Sequence, residues 1–276
     1  MTDTANTPLT LSDDEVRAEA HMLDEAERTA TQIRQTTAVH PGATIADAYR
    51  IQAAWLEVRL ARGEQLVGHK IGLTSRAMQA AMNIDTPDSG FLTDAMVFEP
   101  DSRLPAGRFC DPKLEIELAF RLAADLTGPN PTVDDVLDAT VEVTPAVELI
   151  AARSFRRDPA TGRTRTVVDT IADNAADAGI VCGGDPVGPR DVDLRWIAAV
   201  GYRNGTVEET GVAAGVLDHP ANGVVWLARR YAEQGLSLRA GQIVLAGSFT
   251  RPIDVRPGDH FRFDYGPLGS FELEFD

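Results

Sequence analysis

Hydrophobic and polar residues follow two different spacings along the chain, helical over the first 65 residues and alternating over much of the remainder. Ser12 and Glu15 form a capping-box pattern, and the stretch 13–35 that follows contains neither Gly nor Pro, which predicts a helix over that range. A second capping pattern begins at Thr44. The apolar residues that follow Thr44 recur at helical spacing until Gly63, which predicts a second helix.

Beyond residue 65 the chain breaks into short alternating segments separated by turn residues. Strands are predicted in "QLVGHKIGLT", "KLEIELAFRL", "IAAVGYRNG", "QIVLAGSFT" and "HFRFDYG". Two further helices are predicted, one after Thr132 and one in "NGVVWLARRYAEQG". The pattern favours an α+β protein with a helical N-terminal region over 1–65 and a domain built on a mixed sheet over 66–276.

Charge and composition narrow the possible partners. The 276 residues carry a formal charge of −16, which repels nucleic acid and anionic lipid. No signal peptide or membrane span is predicted, so we expect a cytoplasmic protein. Cys110 and Cys182 are far apart and predict neither a disulfide framework nor a thiolate metal site, and small core positions account for both.

The segment "KLEIELAF" carries the main chemical signal. On a strand its four apolar residues form one face, while Glu115 and Glu117 share the other face at about 6.6–7 Å between Cα atoms. Two such carboxylates can bind one hard cation, Mg²⁺ or Mn²⁺, and Glu148 in "TPAVELI" is the best third ligand because its neighbours are apolar. The alternative is a pair of charges on the solvent face of an edge strand.

Longer blocks of sequence carry a resemblance to a known family. The blocks are "GHKIGLTSRAMQ", "PDSGFLTDAM", "KLEIELAF", "PAVELI", "DTIADNAADAGIVCGG", "DLRWIAAVGYRNG", "EETGVAAGVLDHPANGVVWLA" and "GQIVLAGSFTRP". From about Ile45 onward the chain resembles the hydratases of the fumarylacetoacetate hydrolase superfamily that act in bacterial homoprotocatechuate degradation. The resemblance implies a mixed-sheet, β-roll core and a homo-oligomer built from dimers.

The same resemblance implies an activity and roles for individual residues. The activity is metal-dependent addition of water to a seven-carbon 2-oxo-ene-dioate. Glu115, Glu117 and Glu148 take the family's metal-ligand positions, with Mg²⁺ or Mn²⁺ as the cofactor. Lys70 and Asp88 take the positions of the catalytic lysine and the acidic group, whose chemistry suits binding of a carboxylate and movement of protons.

A second carboxylate on the substrate needs a cation or several donors. Arg76, Arg153 and Arg156 lie near the motifs and are candidates for substrate binding, although each is also a plausible surface charge. Ser248 follows an apolar strand in "LAGSFT" and is a further candidate, with a strand-end turn as its alternative role. In "DTIADNAADAG", the polar residues Asp169, Asp173 and Asn174 either line the site or cap and brace the backbone.

Three residues depart from the family pattern, and they bear on substrate preference. Ser89 stands where an aromatic residue is expected, Ala151 where an acid is expected, and Lys113 where an arginine is expected. The alternative activities are 2-hydroxypenta-2,4-dienoate hydratase, 4-oxalocrotonate decarboxylase and C–C hydrolase of acylpyruvates. A non-catalytic subunit that pairs with an active homologue is the remaining alternative.

Overall fold

A computed structural model describes residues 9–75, 79, 84 and 86–276. The helices are α1 Asp13–Thr29, α2 Thr36–Val39, α3 Ile45–Ala61, α4 Val133–Ala139, α5 Val167–Ala172 and α6 Ala221–Glu233. The strands are β1 Leu66–Gly72, β2 Asp88–Thr93, β3 Val97–Phe98, β4 Ser102–Leu104, β5 Lys113–Leu122, β6 Thr140–Ile150, β7 Asp177–Cys182, β8 Ala198–Arg203, β9 Thr206–Val212, β10 Ile243–Leu245, β11 Ile253–Asp254, β12 His260–Asp264 and β13 Ser270–Phe275. This confirms the α+β prediction and each of the five predicted strands.

The strands form two mixed sheets. The larger sheet has the order β2-β1-β10-β5-β6-β7-β3, with β11 also paired to β5, and the smaller sheet has the order β4-β13-β12-β8-β9. Strand β5 therefore lies inside the larger sheet, between β10 and β6. The edge-strand, solvent-face alternative for its glutamates is wrong, because both edges of β5 are paired, Glu117 is fully buried and Glu115 is half-buried.

Most of the predicted helices begin and end where their capping residues stand. The side-chain oxygens of Ser12, Thr44 and Thr132 accept the backbone N–H three residues on, and each helix has the reciprocal bond of a capping box. The first helix is shorter than predicted: it ends at Thr29, where Ala30 adopts a left-handed conformation with φ 48°. The chain then turns so that Ile33 can donate its backbone N–H to the carbonyl of Arg153, 2.9 Å away.

The larger sheet has a different layer on each face. The apolar residues of β5, such as Ile116 and Phe120, pack with the phenylalanines of the smaller sheet and with α6 in one buried cluster. The opposite face packs against α1 and α3, where Trp55 is fully buried, meets Phe91 edge-on at 6.0 Å and donates to Asp24 at 3.1 Å. The division of the chain at residue 65 stays a prediction, since these helices share a buried cluster with the sheet.

Among the described residues, no helix has both the length and the apolar character needed to cross a membrane.

Candidate metal centre and active-site cavity

Strand register brings three glutamates onto one face of the larger sheet. Glu115 of β5 stands directly opposite Glu148 of β6, and Glu117 stands opposite Ala146. Directly opposed residues of an antiparallel pair point to the same face, and residues two apart on a strand do as well. Glu117 is therefore beside Glu115 along the strand and diagonal to Glu148. This is the side covered by the N-terminal helices.

The three carboxylates lie close together and are poorly satisfied by the protein. One oxygen from each lies within 4.8 Å of the others. Glu117 and Glu148 are fully buried. Oε2 of Glu117 accepts the backbone N–H of Gly247 at 2.8 Å, but its Oε1 and both oxygens of Glu148 have no hydrogen-bond partner in the described part of the chain. A bound cation would stabilise such oxygens, and an oxygen-only donor set suits Mg²⁺ or Mn²⁺.

Electrostatics lead to the same conclusion. Burial, followed by repulsion from the other two carboxylates, raises the pKa of Glu117 well above its usual range. Burial also raises the pKa of Glu148 to about 7, although the neighbouring Lys70 ammonium opposes the shift. Without a bound cation the group therefore holds protons that a metal would displace.

Lys70 lies on the same face and points toward this cluster. It pairs in register with Leu245 of β10, which pairs with Ala119 of β5, so its side chain shares the face of the glutamates. Its ammonium lies 3.1 Å from Oε1 of Glu148, without the alignment of a hydrogen bond, and donates to the carbonyl of Ala175 at 3.0 Å. Burial by itself would lower the pKa of Lys70. The Glu148 and Asp88 carboxylates have the larger combined effect and raise the pKa above its usual value.

His69 points to the opposite face, as alternation requires. Its Nδ1 lies 2.9 Å from the hydroxyl of Tyr231 on α6, and the two rings meet edge-on at 5.0 Å. Burial lowers the pKa of His69 to about 4, so it is neutral at physiological pH. These contacts support the prediction that His69 is structural.

Asp88 begins β2 and stands opposite Gly72 of β1. A glycine is required at 72, because a Cβ atom there would lie 2.3 Å from Oδ1 of Asp88 and 3.0 Å from Nζ of Lys70. Oδ1 of Asp88 is buried and has no hydrogen-bond partner among the described residues. Burial raises the pKa of Asp88, and the Lys70 and Arg165 cations oppose that shift.

A cavity of about 290 Å³ connects these groups. Its walls include Lys70, Asp88 and Glu115 of the predicted site and Ser248, whereas Glu117 and Glu148 do not line it. The cavity is small enough to suit a short metabolite rather than a large ligand. Its other polar walls come from Thr74, Ser75, Arg156, Thr164, Arg165, Thr170 and Thr250.

The predicted substrate-binding residues are only partly brought to this cavity. Arg76 lies outside the described residues. Arg153 does not line the cavity: its guanidinium donates to the Asp173 carboxylate at 2.6 Å and to the carbonyls of Asp173 and Asp177. Ser248 lines the cavity, but its hydroxyl bonds the carbonyls of Ile116 and Thr250. The geometry therefore favours Arg156, rather than Arg153, as a cation that substrate can reach.

The polar residues of "DTIADNAADAG" brace the backbone beside the cavity. Asp169 accepts the N–H groups of Thr166 and Thr37, and Asp173 is the partner of Arg153. Asn174 bonds both the N–H and the carbonyl of Phe91, at 2.9 and 3.0 Å.

These bonds hold a strained turn that presents a carbonyl to Lys70. Asn174, Ala175 and Ala176 have φ values of 53°, 50° and 65°, a left-handed region that is costly for side chains other than glycine. The Ala175 carbonyl accepts from Lys70 as a result. Sequence reasoning missed this contact, because no local signal marks three consecutive residues with positive φ in the sequence Asn-Ala-Ala.

Sequence reasoning also missed Arg165, whose guanidinium lines the cavity. The signal available was its position in "GRTRTVVD" shortly before the family block. None of the three departures from the family pattern reaches this cavity in the described structure: Ser89 and Ala151 are buried elsewhere, and Lys113 pairs with Asp254.

No protein-family model matches the chain. It is 54% identical over 256 residues to the 2-oxo-hept-4-ene-1,7-dioate hydratase of Escherichia coli, which covers 93% of this chain and 96% of that protein. It is 36% identical over 257 residues to a 2-keto-4-pentenoate hydratase of Paraburkholderia xenovorans, with 93% of each covered. A solved structure of 4-oxalocrotonate decarboxylase from Pseudomonas putida, complexed with magnesium and adipate, matches with a TM-score of 0.92 and 34% identity over 98% of this chain and 100% of that chain.

Proposed function

The chain belongs to the fumarylacetoacetate hydrolase superfamily, and we propose that it is a divalent-metal-dependent hydratase that converts 2-oxohept-ene-1,7-dioate to 4-hydroxy-2-oxoheptanedioate. The observation that carries the proposal is the cluster of three carboxylates with unpartnered buried oxygens, beside a cavity that Lys70 and Asp88 also line. The relative of known structure that is complexed with magnesium and adipate supports the pairing of a metal with a diacid.

Glu115, Glu117 and Glu148 would hold the metal, Mg²⁺ or Mn²⁺. When bound, such an ion polarises the 2-oxo group and stabilises enolate character in the substrate. The protein contributes a dry surrounding for this chemistry, since Glu117 and Glu148 are fully buried and only Glu115 faces the cavity. Gly247 fixes one oxygen of Glu117 by donating its N–H, which leaves the other oxygen for the ion.

Lys70 is placed to bind the substrate's C1 carboxylate. An ammonium has three N–H donors. One is used by the Ala175 carbonyl and one faces Glu148, which leaves a third for a ligand in the cavity. A charge-assisted hydrogen bond from this donor would orient the 2-oxo acid toward the glutamates.

Asp88 is placed to move protons. The dienol form of the substrate takes up a proton at C5 and loses its hydroxyl proton to give the 2-oxo-3-ene; water then adds its hydroxyl to C4 and a proton to C3. The unpartnered Oδ1 of Asp88 can accept a proton from that water, and the buried carboxyl can return it to carbon. The net change is the gain of one water.

A mass-resolved turnover assay tests the proposal. Metal-stripped protein, with and without added Mg²⁺, is given the seven-carbon diacid, and the product should gain the mass of one water only when metal is present. Lys70→Met should lower turnover, and Asp88→Asn should lower it by about 10²- to 10⁴-fold. Arg103→Met, which removes an exposed cation on the smaller sheet, serves as the control.

Each alternative activity would give a different product in the same assay. Release of CO₂ would identify a decarboxylase, two carbon fragments would identify a C–C hydrolase, and faster hydration of 2-hydroxypenta-2,4-dienoate would identify a monoacid hydratase. Activity that appears only with a homologous partner would identify a non-catalytic subunit.

We also infer a cytoplasmic homo-oligomer built from dimers. Cys110 and Cys182 are free thiols, which suits a reducing compartment. Trp196 is 73% exposed beside an apolar cleft that Val192, Val200 and Leu268 line, and a surface of this kind supports self-association. Light scattering after size-exclusion chromatography would measure the assembly, and a strictly monomeric protein would contradict the inference.

A further inference from the structure

Arg165 presents a buried guanidinium to the cavity that the mechanism above does not use. Its side chain is only 9% exposed, yet it lines the same cavity as Lys70 and Glu115. Its Nη1 is buried and has no hydrogen-bond partner in the part of the chain that the structure describes. A buried guanidinium nitrogen without a hydrogen-bond acceptor is costly, so this position calls for an anion.

The carboxylate near Arg165 is already occupied. Nη1 of Arg165 lies 3.7 Å from Oδ2 of Asp173, which is long for an aligned ion pair. Asp173 instead accepts from Nε of Arg153 at 2.6 Å and from the backbone N–H of Ser154 at 3.1 Å. Burial, followed by repulsion from Arg156, lowers the pKa of Arg165 to about 10, so the group stays charged at neutral pH.

A second guanidinium shares this wall. The N–H of Arg165 donates to the carbonyl of Arg156 at 3.0 Å, which joins the two residues across a short hairpin. The Arg156 side chain also lines the cavity, and Asp111 holds it through Nε at 2.7 Å. The hairpin therefore fixes two cations beside each other, and a carboxylate between them would relieve their repulsion and supply the missing acceptor.

We propose that Arg165, assisted by Arg156, binds the substrate carboxylate that lies farther from the three glutamates, and that it makes the enzyme selective for diacids over monoacids. The inference rests on the proposed function, which places the 2-oxo acid end of the substrate at the three glutamates. At the other end, a diacid pairs with the guanidinium, whereas a five-carbon monoacid leaves it without an acceptor. A site with an unpaired buried polar group discriminates strongly against the shorter ligand.

Binding of saturated acids tests this without depending on turnover. Calorimetry compares heptanedioate with heptanoate on the Mg²⁺-loaded wild type, Arg165→Met and Arg165→Lys. Loss of one charge-assisted contact should weaken heptanedioate binding by about 10- to 100-fold in Arg165→Met and leave heptanoate unchanged. Arg165→Lys should recover part of the affinity, because it keeps the charge. Arg157→Met is the control, since Arg157 is an exposed cation of the same hairpin that does not line the cavity.

Turnover should change in parallel, with a lower kcat/KM on the seven-carbon diacid and an unchanged value on 2-hydroxypenta-2,4-dienoate. Equal losses on both substrates would overturn the inference, because they would place Arg165 at the shared 2-oxo acid end or in the scaffold. Unchanged heptanedioate affinity would also overturn it. Arg165→Met should fold, because Asp173 keeps Arg153 and Ser154 as its partners.

The two proposals fail separately. If the wild type hydrates neither substrate while heptanedioate affinity still depends on Arg165, the proposed function is wrong and the carboxylate site stands. If the wild type hydrates the diacid and Arg165→Met binds heptanedioate normally, the hydratase stands and the role of Arg165 is wrong.

Discussion

Replacing Glu117 by glutamine should stabilise the metal-free protein while removing its response to metal. The substitution keeps an oxygen that can accept the N–H of Gly247, so the bond at 2.8 Å can be retained. It removes a fully buried charge that faces two other carboxylates. Glu117 suits this experiment better than Glu148, whose loss would leave the Lys70 ammonium without its ion-pair partner.

The size of the effect follows from the distances. At 4.8 Å two full negative charges repel by about 3.5 kcal/mol in an effective dielectric constant of about 20. Lys70 neutralises part of the cluster, and proton uptake by the carboxyls removes more of the repulsion. We therefore expect about 1–3 kcal/mol of stabilisation in the metal-free state at pH 8, or an increase in Tm of roughly 2–10 °C for a chain of this size.

The pH dependence has a defined direction. The folded-state pKa of Glu117 is raised, so holding its charge costs more as the pH rises. At low pH the wild-type carboxyl is protonated and resembles the glutamine. The gain from Glu117→Gln should therefore shrink as the pH is lowered.

Urea and thermal unfolding of metal-stripped protein, with and without Mg²⁺, measure both effects. Mg²⁺ at about 100 times its Kd should stabilise the wild type by about 2.7 kcal/mol and the variant hardly at all. A metal-free variant less stable than the wild type would refute the repulsion argument. An equal response to Mg²⁺ in both proteins would refute the assignment of Glu117 as a ligand.

Three further substitutions test other parts of the structure. Asp173→Asn should destabilise the protein by about 3–5 kcal/mol in urea unfolding, because it leaves the buried Arg153 cation without its carboxylate. The pKa of His69 is lowered from 6.5 to about 4 in the folded protein, so between pH 6.5 and 4 the unfolded chain binds a proton that the folded chain does not. Through this histidine the wild type loses about 3 kcal/mol of stability as the pH falls over that range. His69→Gln should lack this loss. Gly247→Ala should lower both stability and metal affinity, because Gly247 has φ 115° and an added Cβ atom would lie 2.2 Å from the Thr74 hydroxyl.

Controls for these substitutions come from the surface. Asp138→Asn breaks the exposed pair with Arg190 and should lower the free energy of unfolding by no more than about 1 kcal/mol. If Asp173→Asn lowered it by no more than this, burial would not be what makes the Asp173–Arg153 pair important. His260→Gln, which removes a histidine of the smaller sheet whose side chain is 41% exposed, is the matched control for His69→Gln. For Gly247→Ala, wild-type metal affinity would contradict the role of its N–H in placing Glu117.

Features set by local geometry could be predicted from the sequence. Alternation alone put Glu115 and Glu117 on one face and His69 opposite Lys70, because the side-chain period of a strand is fixed by the backbone. The helix starts at Thr44 and Thr132 were predictable for the same reason, since a cap depends on residues three apart.

Features that depend on distant parts of the chain could not be predicted in this way. The first helix ends early so that Ile33 can pair with the backbone near Arg153, a contact across about 120 residues. The choice between Arg153 and Arg165 depends on which guanidinium Asp173 satisfies, and nothing in either residue's neighbourhood reveals that. The position of Glu148 opposite Glu115 was suggested by its apolar neighbours and by the family resemblance, and only the pairing of β5 with β6 specifies it.

The N-terminal helices have a direct electrostatic consequence for the site. Ala119 and Ala146 continue the rows of Glu117 and Glu148 on the same sheet face, and both belong to the apolar cluster around Trp55 of α3. This packing excludes water from one side of the carboxylates, so their charge is costly without a cation. On an open, solvated sheet face only the mutual repulsion of the three glutamates would remain. The burial that the helices impose is therefore the largest cause of the raised pKa of Glu117, and it adds to the expected gain in stability when that charge is removed.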